Sequence, residues 1–231
     1  MVHSFRSALL VCAVAMVAVQ SPAWALDGKA LASRQCASCH SLTGPAPRTI
    51  AGVLERKAPD LFYAGSKFQR SWLVAWIQRP APIRAAGTMF LQHVVSQAGK
   101  DRIAQGSVKP CASRLTPAEA DAVADYLMTL KDTAMKTGLI DPSRAAQDAK
   151  AYRLFTKQLP CIGCHTIEFR KRSMGGVSAP DLRGAGSRLN PDWIYARIEN
   201  PQYWDPRTWM PRIEMSHEKR EALALFIASQ R

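Results

Sequence analysis

The sequence is short of acidic residues, of membrane-length apolar stretches and of any sign of a β-sheet. Its 231 residues include 18 Asp and Glu against 31 Lys and Arg, which gives a formal net charge of +13. After residue 25, no stretch is long and apolar enough for a membrane helix, and no segment alternates with the period of a strand. Outside two short motifs, cysteine and histidine pairs at zinc-ligand spacing are missing. These absences predict an all-helical fold outside the membrane and argue against a zinc site.

The first 25 residues have the pattern of a secretory signal peptide. Arg6 supplies positive charge at the start, residues 8–19 form an apolar run too short to span a bilayer comfortably, and Ala23-Trp24-Ala25 matches a cleavage site. We therefore expect the mature chain to begin at Leu26 and the protein to be periplasmic. An uncleaved membrane anchor is the alternative.

The excess of basic residues predicts an acidic partner. Removal of Arg6 with the signal peptide leaves about +12 on the mature chain. Nucleic acid is not expected as a partner of an exported protein, so an acidic redox protein or redox complex, or an anionic membrane surface, fits the charge better. We expect Lys67, Arg170, Lys171 and Arg172 to steer such a partner.

Two stretches, Cys36–His40 and Cys161–His165, share the pattern Cys-x-x-Cys-His. This is the pattern of covalent c-type haem attachment, in which each thiol adds to a vinyl group and the adjacent histidine reaches the iron. The predicted cofactors are therefore two haem c groups. The predicted attachment residues are Cys36, Cys39, Cys161 and Cys164, and the predicted axial histidines are His40 and His165.

An internal repeat follows each motif. With a shift of 121 residues, Ala58–Pro80 aligns with Ala179–Pro201 without a gap, and 11 of the 23 positions are identical. The same shift places Met89 on Met210. Each motif is thus followed by Pro-Asp-Leu, a tryptophan-bearing helix that ends at proline, and a methionine.

In the second half, Met210 is the predicted second axial ligand. It is followed by Pro211, whose fixed φ suits a loop that holds one sulfur against a metal, and a thioether ligand raises the reduction potential. Met215 is the local competitor, beside the start of the last helix.

In the first half, three residues compete for the same role. The repeat selects Met89. Counting back from the cap of the last helix selects Cys111 instead, because Cys111 is five residues before Thr116 and Met210 is six before Ser216. His93 is the third candidate. The choice matters because a thiolate ligand would lower the potential strongly and favour catalysis over simple electron transfer.

The predicted elements are helices throughout. Thr116, Pro117 and Glu119 form a capping box for one of them, and Asp141 and Pro142 are expected to start the first helix of the second half. We predict all-α architecture with two tandem domains, each a few short helices around a covalent haem. The predicted boundaries are 1–25 for the signal peptide, 26–135 for the first domain, 136–146 for the linker and 147–231 for the second domain.

The two haem motifs, the two Pro-Asp-Leu stretches and Met210-Pro211 together resemble the bacterial class I cytochromes c, in a two-domain, dihaem form. The resemblance covers nearly all of residues 26–231, although Met89-Phe90 departs from the usual Met-Pro. It implies that the terminal helices of each domain cross, near Ala30 and Tyr126 in the first and near Phe155 and Phe226 in the second. It also implies a haem edge exposed for electron exchange.

The resemblance leaves two main functions open. The first is a carrier of single electrons, free or as the electron-transfer subunit of a redox complex, which is not itself an enzyme. The second is a dihaem oxidoreductase similar to the thiosulfate-oxidising cytochromes, with a catalytic haem ligated by His40 and Cys111. No acid/base pair beside either motif supports the second function, and the chain is short for a dihaem peroxidase.

Overall fold

The computed structural model describes residues 26–231, so the predicted signal peptide and Cys12 lie outside the described residues. We refer to residues 26–135 as the first unit and to residues 147–231 as the second unit. The elements of the first unit are α1 (Gly28–Gln35), α2 (Ile50–Leu54), α3 (Ala64–Lys67), α4 (Arg70–Gln78), α5 (Thr88–Leu91), β1 (Val94–Gln97), β2 (Lys100–Ile103) and α6 (Pro117–Thr129).

The second unit also has a first helix, a tryptophan-bearing helix and a last helix, but its hairpin lies before the tryptophan-bearing helix instead of after it. A short 3₁₀ turn at Pro142–Arg144 precedes the second unit. Its elements are α7 (Ala149–Arg153), a π-helical turn (Leu154–Gln158), α8 (Cys161–Cys164), β3 (Thr166–Phe169), β4 (Arg172–Gly175), α9 (Ala185–Arg188), α10 (Pro191–Glu199) and α11 (His217–Ala228). Among residues 26–231, no helix is long and apolar enough to cross a membrane.

Most of the helix caps lie where the sequence predicted them. The capping box of Thr116 and Glu119 is confirmed at the start of α6, and Ser216 caps α11. The prediction that Asp141 starts the first helix of the second unit is wrong. Asp141 caps only the 3₁₀ turn, and Asp148 caps α7, where its side chain accepts two backbone N–H bonds.

The fold is mainly helical but contains two antiparallel hairpins that the sequence did not predict. Strand β1 pairs with β2 and β3 pairs with β4, each across a two-residue turn. Both turns need positive φ at both positions, and they use Ala98-Gly99 and Arg170-Lys171. The all-α prediction is therefore corrected to a mainly helical fold with two hairpins. The sequence did not reveal these hairpins because their turns lack the usual Asn-Gly signal and their strands are only four residues long.

Each unit has its own core beneath its terminal helices. In the first unit, α1 lies so close to α6 that a Cβ on Gly28 would be 1.9 Å from the carbonyl oxygen of Ala122. In the second unit, the rings of Phe155 and Phe226 lie 5.9 Å apart between the π-helical turn and α11. The contact expected between Phe155 and Phe226 is present, and α1 meets α6 at Gly28, beside Ala122 and Tyr126.

The two units meet at equivalent residues of the repeat. Phe68 pairs with Leu189 in an isolated antiparallel bridge. On either side, the N–H of Gln69 donates to the oxygen of Arg188 at 2.9 Å, and that of Asn190 donates to the oxygen of Lys67 at 2.8 Å. Because each contact has its counterpart at a shift of 121 residues, the interface has the pattern of a two-fold dimer built within one chain.

Candidate functional site

Both predicted axial histidines are held by the same kind of hydrogen bond. The Nδ1–H of His40 donates to the carbonyl oxygen of Pro59 at 2.7 Å, and that of His165 donates to the carbonyl oxygen of Pro180 at 2.9 Å. A carbonyl oxygen only accepts, so Nδ1 carries the proton and Nε2 keeps its lone pair. This fixed tautomer is what an imidazole needs to bind a metal through Nε2.

The surroundings of both rings also favour the neutral form. Burial lowers the pKa of His40, and the bond to Pro59 only partly opposes this. Burial likewise lowers the pKa of His165, and the nearby cations Arg84 and Arg197 lower it further. A metal ligand must be unprotonated, so both rings are prepared for coordination.

A second bond in each unit fastens the supporting proline. The N–H of Leu61 donates to the oxygen of Ser41 at 2.8 Å, and that of Leu182 donates to the oxygen of Thr166 at 2.9 Å. Ser41 and Thr166 are the residues directly after the histidines. The Pro-Asp-Leu stretch found twice in the sequence is therefore the element that positions each ring, a role that the sequence analysis had not assigned.

The motif cysteines lie on one turn in each unit. The N–H of His165 donates to the oxygen of Cys161 at 3.0 Å, which closes α8, and the N–H of His40 makes the same bond to Cys36 at 2.9 Å. The first cysteine of each motif is half-buried and the second, Cys39 or Cys164, is exposed. Two thiols at different depths beside one imidazole suit attachment along one edge of a plate-shaped cofactor.

The candidates for the second axial position lie in differently built loops. Met210 packs against the second core, and its oxygen accepts a bond from the Gln202 side chain at 2.9 Å. Met215 also contacts that core. Met210 thus belongs to a loop that is tied to its own unit, and its ligand role stays a prediction.

In the first unit, Met89 belongs to the short helix α5, and His93 follows it with a buried Nδ1 that has no partner among the described residues. Cys111 lies close enough to Cys36 to contribute to its raised pKa of about 11, although burial of Cys36 is the larger cause. Cys111 is thus near the haem motif, as counting back from α6 predicted. The choice among these three residues stays a prediction.

Partly buried cations gather where the units meet. Lys67 lies 5.1 Å from the ring centroid of Trp193, and its counterpart Arg188 lies 6.0 Å from that of Trp72. Burial, and then the charges of Arg197 and Arg188, lower the pKa of Lys67 to about 7. Aromatic rings surround the ammonium group of Lys67, and its part in steering a partner stays a prediction.

These cations would suit the anionic side of a haem. The Nε1–H of Trp193 is buried without a partner among residues 26–231, and burial lowers the pKa of Arg197. A haem carries two carboxylates, which would accept from such donors and offset the charge. Lys67, Arg188, Arg197 and Trp193 therefore fit the carboxylates, as the motif cysteines fit the vinyl groups and the histidines fit the iron.

One of three comparisons with known proteins finds a match. A family model described as Cytochrome c matches residues 25–131 and 149–231, so each match contains one histidine with its supporting proline. Neither a comparison with curated proteins nor one with solved structures finds a match. With the family model covering most of its length in two regions, the chain belongs to the cytochrome c family.

Proposed function

We propose that the protein is a periplasmic dihaem c-type cytochrome that passes single electrons between redox partners. It acts as a free carrier or as the electron-transfer subunit of a redox complex. The observation that carries this proposal is the duplication of the attachment motif and its histidine support, with Cys-x-x-Cys-His in each unit and the histidine Nδ1–H bonded to a proline carbonyl at 2.7 Å and 2.9 Å. Bound haem supplies the one-electron couple of iron.

The residues of the chain supply attachment, orientation and electrostatics. Cys36, Cys39, Cys161 and Cys164 hold the two groups covalently. Pro59 and Pro180 orient the axial imidazoles, which lets each iron change its charge without a large rearrangement of its ligands. The exposed second cysteine of each motif supports a haem edge that a partner can approach.

The partner is proposed to be an acidic redox protein. The tip of the β3–β4 hairpin presents Arg170, Lys171 and Arg172, all exposed, only a few residues beyond His165. A cluster of cations near an electron-exchange edge raises the rate of encounter with an acidic surface. Export of the chain by residues 1–25 would place this encounter in the periplasm.

The number of covalent haems tests the proposal. We expect two haems per denatured chain, measured from the haem absorbance that stays with the polypeptide after unfolding. The double variants Cys36→Ser/Cys39→Ser and Cys161→Ser/Cys164→Ser should each retain one, and Cys111→Ser is the matched cysteine control that should retain both. A chain without covalent haem would overturn the proposal, and one haem per wild-type chain would reject its dihaem form.

The position of Cys111 favours a second candidate function. Its proximity to Cys36 would suit a haem ligated by His40 and Cys111, as in a thiosulfate-oxidising dihaem oxidoreductase. That function predicts low-spin thiolate signals in electron paramagnetic resonance and reduction of the protein by thiosulfate, both lost in Cys111→Ser. Unchanged spectra and electron exchange in this variant would leave the electron carrier as the function.

A further inference from the structure

One side chain crosses from the first unit into the second unit beside the axial histidine. Arg84 follows α4 in the chain, yet its Nη1 donates to the Oγ1 of Thr166 at 2.6 Å and its Nη2 donates to the oxygen of Ala179 at 2.6 Å. Nη1 is also 4.0 Å from the carboxylate of Asp181. The N–H of Gly87 donates to the oxygen of Ser178 at 3.1 Å and fastens the same loop.

The partners of Arg84 are the two segments that hold His165. Thr166 follows His165 directly, and Ala179 precedes Pro180, whose carbonyl accepts the bond from the imidazole. The guanidinium is largely enclosed, with a side-chain exposure of 13 %. A cation from one unit is thus built into the support of the other unit's ligand, where solvent screens it weakly.

At the equivalent position the second unit supplies the opposite charge. The repeat shift of 121 residues takes Arg84 to Asp205, which also reaches across the interface. The carboxylate of Asp205 accepts from Arg56 at 3.1 Å, and Arg56 donates at 2.9 Å to Asp60, the counterpart of Asp181. Asp60 follows Pro59, the residue that supports His40. The first unit therefore contributes the cation Arg84 to the surroundings of His165, and the second unit contributes the anion Asp205 to the supports of His40.

The other charges near the two rings also differ. Arg197 is the further cation near His165, and the carboxylate of Asp205 lies 3.9 Å from the Arg197 guanidinium. Near His40 the anion Asp60, which pairs with Arg56 at 2.9 Å, accompanies the cation Lys67. A positive environment stabilises the reduced iron because reduction removes one positive charge from the site. The asymmetry therefore favours reduction at the site of His165.

We propose that this crossed pair, Arg84 toward His165 and Asp205 toward His40, sets the order of the two reduction potentials. The site at His165 has the higher reduction potential, and electrons within the chain move toward it from the site at His40. In that step one iron(II) becomes iron(III) and one iron(III) becomes iron(II), with no bond made or broken. Arg84 is the positioning residue for this order. The inference rests on the proposed function, because it needs two haems.

The test is a spectroelectrochemical titration of the haem-loaded full chain. The two single-haem cysteine variants assign the potentials to the two sites. In Arg84→Gln we expect the reduction potential of the site at His165 to fall. The equilibrium constant for electron transfer between the two sites should change by about tenfold, which for one electron corresponds to about 59 mV. Arg84→Lys keeps the positive charge and should therefore keep the reduction potential close to that of the wild type. Asp205→Asn should raise the potential of the site at His40 more than that of the site at His165, because Asp205 lies 3.1 Å from Arg56 and 3.9 Å from Arg197.

Arg70→Gln is the matched control. Arg70 also pairs with two carboxylates, Asp121 and Asp125, but on the outer surface of the first unit, so neither potential should move. Two haems with potentials that are unchanged in both Arg84→Gln and Asp205→Asn would overturn the inference and leave the proposed function standing. Loss of a haem from the wild-type chain would instead contradict the proposed function. If Arg84→Gln does not fold, Asp205→Asn alone carries the same test.

Discussion

The two units bring a proline carbonyl to their axial histidine along different paths. In the first unit 19 residues separate His40 from Pro59, and this connection contains helix α2. In the second unit only 15 residues separate His165 from Pro180, and the connection is the β3–β4 hairpin. The bond to the imidazole is kept although the connection changes, which shows that the position of the carbonyl, rather than the path to it, is the constrained feature.

The units differ most between their tryptophan helix and their last helix. The first unit uses about twenty more residues there than the second, and they include the β1–β2 hairpin and three candidate ligands. The second unit has a short loop with Met210-Pro211. We expect any chemistry beyond electron transfer to involve the longer loop of the first unit, because that loop carries the additional candidate ligands.

The largest effect is expected at the glycine where each unit packs most closely against the end of its last helix. A Cβ on Gly186 would lie 1.8 Å from the oxygen of Ala228, and one on the equivalent Gly65 would lie 2.2 Å from the oxygen of Met128. Because neither backbone can yield easily, we expect Gly65→Ala and Gly186→Ala to lower the free energy of unfolding of their own unit by roughly 3 kcal/mol or more. Denaturant unfolding followed by haem absorbance measures this.

The neighbouring Ser187→Ala serves as the control, because Ser187 is exposed and should change stability little. If Gly186→Ala unfolded at the wild-type denaturant concentration, the close approach of α9 to the end of α11 would be incorrect. A large effect in one unit and none in the other would show that the repeat does not pack in the same way twice.

A second prediction concerns a support that only the second unit has. The buried carboxylate of Asp192 accepts backbone N–H bonds from Gly138, Leu139 and Ile140 at 2.7 to 2.9 Å. Its counterpart in the repeat is the exposed Ser71. Asp192→Asn should cost about 2 kcal/mol, because an amide oxygen replaces a charged acceptor of three bonds. Chemical unfolding measures the loss, and limited proteolysis should show faster cleavage near Gly138.

Ser71→Ala is the matched control and should leave both readouts unchanged. Equal proteolysis of Asp192→Asn and wild type would mean that the linker is held by its other contacts.

How far the sequence predicts this arrangement depends on the kind of feature. The haem motifs, the capped helices and the repeat are local patterns, and the repeat also identified Pro-Asp-Leu as a shared element. The hairpins escaped prediction because Arg170 and Lys171 adopt positive φ without the usual turn residues. The roles of Lys67 and Arg84 depend on how the units face each other, and no local pattern encodes that.

A third prediction tests whether haem carboxylates lie at the cations between the units. Without an anion, the pKa of Lys67 is about 7, well below that of an unfolded lysine. Above pH 7 the folded chain would then bind fewer protons than the unfolded chain, and stability would rise with pH toward the unfolded pKa. Carboxylates beside Lys67 restore its charge. We therefore expect the difference in unfolding free energy between wild type and Lys67→Met to stay constant from pH 7 to pH 9.

The variant Lys131→Met is the control for loss of one lysine, because Lys131 lies at the exposed end of the first unit. A stability difference for Lys67→Met that grew with pH, by as much as about 1.4 kcal/mol per pH unit, would place the carboxylates elsewhere.

The smallest expected effect concerns the charges at the two hairpin tips. The second hairpin turns through Arg170 and Lys171, a conformation that ordinarily costs side chains about 1 kcal/mol or more, whereas the first turns through Ala98-Gly99. The double variant Arg170→Gln/Lys171→Gln removes two exposed cations, and we expect electron exchange with an acidic redox protein to slow several-fold at low ionic strength. The difference should vanish at high salt, where the field is screened.

The first hairpin supplies the control, since Lys100 and Arg102 carry exposed positive charge beside its tip. If Lys100→Gln/Arg102→Gln slowed exchange as much as the tip variant did, total charge rather than the second hairpin would govern encounter. Equal rates for wild type and Arg170→Gln/Lys171→Gln at every salt concentration would remove the steering role. A selective effect of the second tip would identify the second unit as the side that meets the partner, and this is also the unit for which we propose the higher reduction potential.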